Sequence, residues 1–115
     1  MPASAEVEAF LREFHARMKV WDVLFQDDRE KNTLALTALG ITRNQRKQVL
    51  EELTPMDYSE GPKKDWVDGP ALWVFGKALK GTDLYIKVTL GLTSTGSVVC
   101  ISFHAAEHTM KFPLR

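Results

Sequence analysis

The 115-residue chain has one cysteine, five prolines and no apolar run near the length of a membrane span, which requires about 20 residues. Cys100 alone can neither close an internal disulfide nor build a zinc cluster. It sits in the apolar stretch Val98-Val99-Cys100-Ile101 and reads as a small buried hydrophobe. Net charge is also lacking, with 15 basic residues against 15 acidic ones. That balance argues against a protein that coats nucleic acid through its whole surface and allows at most a local basic face. No signal peptide is expected, because Ala3, Ser4 and Ala5 are followed at once by glutamates. The reading is a cytoplasmic protein with no membrane partner. There is no phosphate-cradling glycine loop and no G-x-S-x-G motif, so the glycines read as turn glycines.

Hydrophobic residues make up 44% and charged residues 26%, enough apolar material for the core of a single domain over residues 1–115. Residues 1–60 hold 8 basic and 11 acidic side chains, whereas 61–115 hold 7 and 4, so the second half is the basic one. His104 and His108 also lie there. Their spacing resembles that of a metal pair, but no second pair of ligands exists in the chain, and no metal or other cofactor is expected.

From Ser4, the spacing of Val7, Phe10, Leu11, Phe14 and Met18 predicts an amphipathic helix with Ser4 as N-cap and Glu6 and Glu8 in its first turn. Val20 to Phe25, β-branched and aromatic, predicts a strand, and Gln26 to Asn32 a charged, exposed loop. Thr33 to Leu39 predicts a short helix closed by Gly40. Thr42-Arg43-Asn44-Gln45 fits a capping box opening a helix through Leu53, with Arg43, Arg46, Lys47, Glu51 and Glu52 as its solvated face. The helical part thus covers about 1–54.

Strands dominate from about 58 to 112. Gly61-Pro62 and Gly69-Pro70 read as breaks. Leu72–Leu79, Thr82–Leu90 and Ser97–His104 read as strands joined through Lys80-Gly81 and Thr93–Gly96, hence antiparallel neighbours. Gly76 and Gly91 are candidate bulges. The resulting class is α+β, N-terminal helices on a small antiparallel sheet.

Alternation separates Leu84, Ile86, Val88 and Leu90 from Tyr85, Lys87 and Thr89. In the last strand it groups Val99, Ile101 and Phe103 against Val98, Cys100, Ser102 and His104. With both apolar sets under the helices, Tyr85, Lys87, Ser102 and His104 emerge on one polar face. Trp73, Phe75 and Lys77 could share that face, or Leu72 and Val74 could. An imidazole that moves protons near neutral pH, an ammonium that neutralises charge on phosphorus and a phenol that donates or stacks suit a phosphodiester. The same residues also suit the solvated outer face of an antiparallel sheet, which is polar whatever the function.

Leu50-Glu51-Glu52-Leu53 through Asp57-Tyr58, the strand at Trp73, Leu84-Tyr85-Ile86-Lys87-Val88-Thr89 and Val99-Cys100-Ile101-Ser102-Phe103 resemble the MqsR-type toxins of bacterial type II toxin–antitoxin systems, over roughly residues 42–104. Residues 55–112 also resemble a bacterial subgroup of that family. The resemblance implies the fold shared with RelE-type toxins and a metal-independent, cofactor-free endoribonuclease. It would cut mRNA by attack of the substrate's own 2′-hydroxyl. Its partners would be mRNA and a cognate antitoxin protein, with no DNA binding of its own. The family's functional tyrosines fall on Tyr85 and Tyr58, whereas its lysine falls on Ser59 and its glutamine on Val74. A catalytic set of His104, Lys87 and Tyr85 is therefore expected, with Lys77, Tyr58, Ser102 and His108 binding substrate. The alternative is a non-catalytic RNA- or protein-binding module on the same fold.

Overall fold

A computed structural model describes residues 4–27, 30–64, 69–91 and 96–115. The protein is α+β; among the described residues three helices pack on a five-stranded sheet of order β1-β5-β4-β3-β2. Helix α1 spans Ser4–Trp21 and buries Val7, Phe10, Leu11, Phe14 and Met18, the stripe that its period predicts. Ser4 is itself the first helical residue. Phe10 stacks on Trp73 at 4.7 Å and Phe75 at 6.0 Å, and the three rings join α1 to the sheet.

Helix α1 also takes in Val20 and Trp21, which the β-branched pattern assigned to a strand. Both are exposed, so their apolar character marks no buried strand face. The helix stops at Asp22, whose φ of 73° is left-handed. Its N–H closes the last turn on the Met18 carbonyl, and its carboxylate accepts from Val23 N at 2.7 Å and pairs with Lys47 at 2.9 Å. Lys47, then Val23, hold the Asp22 carboxyl below its ordinary value. Strand β1, Val23–Phe25, is therefore short, and it pairs parallel to β5, which makes the sheet mixed rather than wholly antiparallel.

Helix α2, Glu30–Leu39, begins inside the segment expected to be an exposed loop, and its Asn32 is buried. The reason is a sheet edge. Beyond Cys100, strand β5 outruns β1, and the Asn32 amide takes the missing neighbour's place. It donates to Ile101 O at 2.8 Å and accepts from Phe103 N at 3.0 Å. Asn32→Ala strands both backbone groups and should cost about 2–4 kcal/mol in chemical denaturation. Asn32→Asp, which can accept but not donate, should also destabilise; wild-type stability in both variants would refute the clamp.

Gly40, at φ 64°, ends α2 as expected. The capping box forms, with Gln45 N donating to Thr42 Oγ1 at 3.2 Å and Thr42 N donating to Gln45 Oε1 at 2.7 Å. Helix α3, Arg43–Glu51, then buries Val49 and Leu50, and Leu53 follows into the core. Arg46 departs from its expected solvated face, being fully buried and bidentate on Asp27 at 2.8 and 3.0 Å. Its guanidinium carbon lies 3.8 Å from the centre of the Phe25 ring.

After a 3-10 turn at Pro55–Asp57, strands β2 (Tyr58–Lys63), β3 (Leu72–Leu79), β4 (Thr82–Thr89) and β5 (Val98–Ala105) follow, with β2 to β5 antiparallel in order. Gly61-Pro62 lies within β2 at a register shift rather than ending it. Lys80 and Gly81, at φ 53° and 81°, form the tight β3–β4 turn. The Thr93–Gly96 connection lies, except for Gly96, outside the described residues. A bulge on β5 sets Lys87 opposite Ser102 but Val88 opposite Cys100, leaving Ile101 extra. Val98, Cys100 and Phe103 consequently join one core, and the simple alternation of Val99, Ile101 and Phe103 fails. Gly76 is no bulge; it pairs regularly with Tyr85. Among the described residues no helix is long and apolar enough to cross a membrane.

Candidate functional site

The helix-covered face of the sheet carries Trp73, Phe75, Leu84, Ile86, Val88, Cys100 and Phe103. Register then dictates the opposite face. Tyr85 stands across from His104 and Lys87 across from Ser102, two adjacent cross-strand pairs. Side chains at such positions stand about 4.5–5.5 Å apart at Cβ, close enough to act on one group.

The C-terminal segment 106–115 forms a wall beside this face. Ala106 N donates to Asp83 O at 2.8 Å and turns the chain out of β5. Met110 and Phe112 then pack on Gly76, where a Cβ would come within 2.8 Å of Met110 Sδ and Phe112 Cε1. Any larger residue there would force the Met110 and Phe112 side chains to shift. Beyond Phe112, Arg115 donates to Met56 O at 2.9 Å and pairs with Asp57 at 3.4 Å.

Between tail and sheet lies a cavity of about 600 Å³. Tyr85, Lys87, Ser102 and His104 line it from the sheet, His108 and Lys111 from the tail, and Ser59 and Glu60 from β2. Lys31 of α2 and Glu107 also line it and form an ion pair with each other. Lys31 holds the Glu107 carboxyl below its ordinary value, so Glu107 is ionised at neutral pH. Three lysines and two histidines thus face two glutamates, one of which, Glu60, is paired with Lys63 at 2.8 Å. The lining is locally basic in a chain without net charge.

His104 is held through one ring nitrogen. Its Nδ1 lies 2.9 Å from the Ala105 carbonyl, which can only accept, so Nδ1 carries the proton. In the neutral ring the lone pair is then on Nε2, the form a general base needs. Tyr85 stacks on the imidazole at 5.4 Å with 18° between planes and fixes its tilt. Ser102, almost fully buried, contributes at most its hydroxyl to the cavity floor.

Two expected site residues lie elsewhere. Lys77 falls on the helix-covered face, since Phe75, Lys77 and Leu84 follow the core register, and it pairs with Asp57 at 3.3 Å. Tyr58 is buried in the core, its hydroxyl donating to Gly61 O at 2.6 Å, and burial pushes its phenol pKa up. Both are structural. Cys100 is buried as expected, and burial pushes its thiol far up, out of nucleophile range. His15 is also structural, bonded to Leu50 O at 2.8 Å. Lys31, Glu107 and Lys111 were missed because their placement depends on where α2 and the tail dock; only the basic bias of residues 61–115 hinted at Lys111. Among the described residues no three His, Cys, Asp or Glu side chains converge to hold a metal ion.

No family model matches the chain, and neither a curated protein nor a solved structure matches it.

Proposed function

We propose that the protein is an RNA endonuclease of the toxin type, acting on mRNA in the cytoplasm and silenced by a cognate antitoxin. The observation that carries this reading is the joint presence of Tyr85, Lys87, Ser102, His104 and His108 around one basic cavity. The resemblance of residues 42–104 to MqsR-type toxins supports it independently. In the proposed reaction Nε2 of His104 takes the proton from a ribose 2′-hydroxyl. O2′ then bonds to the adjacent phosphorus as the P–O5′ bond breaks, leaving a 2′,3′-cyclic phosphate. His108 returns a proton to the departing 5′-oxygen, and Lys87 and Tyr85 hold the phosphoryl oxygens as charge builds on them.

A non-catalytic binding module is the second reading. It is favoured by Val74, which stands at the family's glutamine position and is fully buried, so it offers the cavity no polar group. Incubating the purified protein with RNA in excess chelator, followed by mapping and chemical analysis of the new ends, separates the two. Cyclic phosphate ends, absent when the 2′-hydroxyl at the cut is removed, are expected. RNA bound intact would instead favour the binding module. In cells, growth arrest on induction and its reversal by the neighbouring gene test the toxin–antitoxin part.

A further inference from the structure

The tail adds a carboxylate, besides that of Glu60, to a cavity lined by three lysines and two histidines. Glu107 pairs with Lys31 on the cavity lining, and it lies in the electrostatic field of His104 and His108. Its backbone is held by the neighbouring Ala106–Asp83 bond. Lys31 is held equally well, because its neighbour Asn32 is clamped to the edge of β5. Both charged groups therefore sit on fixed backbone, while their ends remain more than half exposed, at 60% and 55%. An exposed pair of this kind is weak and opens readily.

We infer that Glu107 is a built-in occupant of a phosphate subsite, and that Lys31 is the residue that binds the phosphate group once Glu107 swings away. The inference deepens the phosphodiester reading of this cavity and rests on it. A phosphodiester carries one negative charge and accepts hydrogen bonds as a carboxylate does, so it replaces Glu107 on Lys31 one for one. A small anion gains only that exchange. An RNA strand also brings neighbouring phosphates to Lys87 and Lys111, so it meets the cost of displacing Glu107 more easily than a single ion does.

The test measures binding of two probes to the full chain, inorganic phosphate and a short RNA whose 2′-hydroxyls are replaced so that it cannot be cut. Glu107→Gln should tighten both by about three- to fivefold at low salt, the scale of one exposed ion pair. Lys31→Ala should weaken the RNA by a similar factor, and adding Glu107→Gln to Lys31→Ala should change little. Arg115→Ala loosens the tail at its far end without touching the cavity charges, and should leave both affinities within about twofold. Unchanged or weaker binding by Glu107→Gln overturns the inference. So does an equal gain in Arg115→Ala, which would assign the effect to tail release. Phosphate binding that tightens in Glu107→Gln while the RNA does not bind supports the subsite and refutes the RNA reading. Failure of both probes with wild type and Glu107→Gln alike refutes the subsite.

Discussion

Replacing His104 by alanine is expected to lower RNA cleavage by about 10²–10⁴-fold, the range that a positioned general base contributes. The side chain is only partly buried at the end of β5, and its one hydrogen bond in the described structure is local, to the Ala105 carbonyl. The fold should therefore persist, and thermal unfolding monitored by circular dichroism should stay near wild type. Tyr85→Phe keeps the ring that stacks on the imidazole and removes only the phenol. Tyr85→Ala also removes the stack, so a larger loss in Tyr85→Ala would identify the orienting role of the ring. Lys87→Ala should lower the rate by about 10²–10³-fold if its ammonium meets charge that develops only in the transition state. Undiminished cleavage in both His104→Ala and Lys87→Ala would remove this face from the chemistry.

The largest expected loss of stability is at the buried Asp27–Arg46 pair. Asp27→Ala leaves Arg46 buried with its main anionic partner gone, and should cost about 3–5 kcal/mol in denaturant unfolding. The guanidinium is fully buried against Phe25, and its Nε already lacks a partner among the described residues. Arg43, 3.2 Å from Asp27, is itself a cation and cannot compensate. Converting both residues, Asp27→Ala with Arg46→Met, should recover most of the loss, since a packed apolar pair no longer confines a charge. A double variant as unstable as Asp27→Ala would instead indicate that the ion pair specifies the packing of α3 on β1.

Acidity provides a second check on the same pair. The Arg46 hydrogen bonds hold the Asp27 carboxyl below its ordinary value of 3.8. A carboxyl with a depressed folded-state pKa stabilises the protein fully above the unfolded value, and that contribution disappears as pH falls through the folded value. The stability gap between wild type and Asp27→Ala should therefore be constant near neutrality and narrow below about pH 4. A gap that is unchanged down to pH 2 would show that the lost interaction is not the ionised pair.

Arg46 and Asn32 show how much was legible from the residues alone. Arg46, Val49, Leu50 and Leu53 follow the i, i+3, i+4, i+7 spacing, as do Asn32, Ala35, Leu36 and Leu39. In each case a polar residue opens an apolar stripe, and charge or polarity suggested solvent where periodicity already indicated burial. The signal was present, but it could be read correctly only with the partner known: Asp27 for one, and the bare edge of β5 for the other.

Local chemistry determined the elements that depend on neighbouring residues. The stripe of α1, the Thr42–Gln45 box, the Gly40 stop, the Lys80-Gly81 turn and the polar faces of β4 and the end of β5 all follow from spacing within a few positions. Tertiary structure alone decided the β5 bulge at Ile101, the parallel docking of β1, the placement of Lys77 and the burial of Tyr58 on the core side, and the tail that walls the cavity. Each of these arises where distant segments compete for the same backbone groups or the same apolar surface. That competition is settled by hydrogen bonds and packing between residues far apart in the chain, 76 positions in the case of Lys31 and Glu107, and a local pattern carries no record of it.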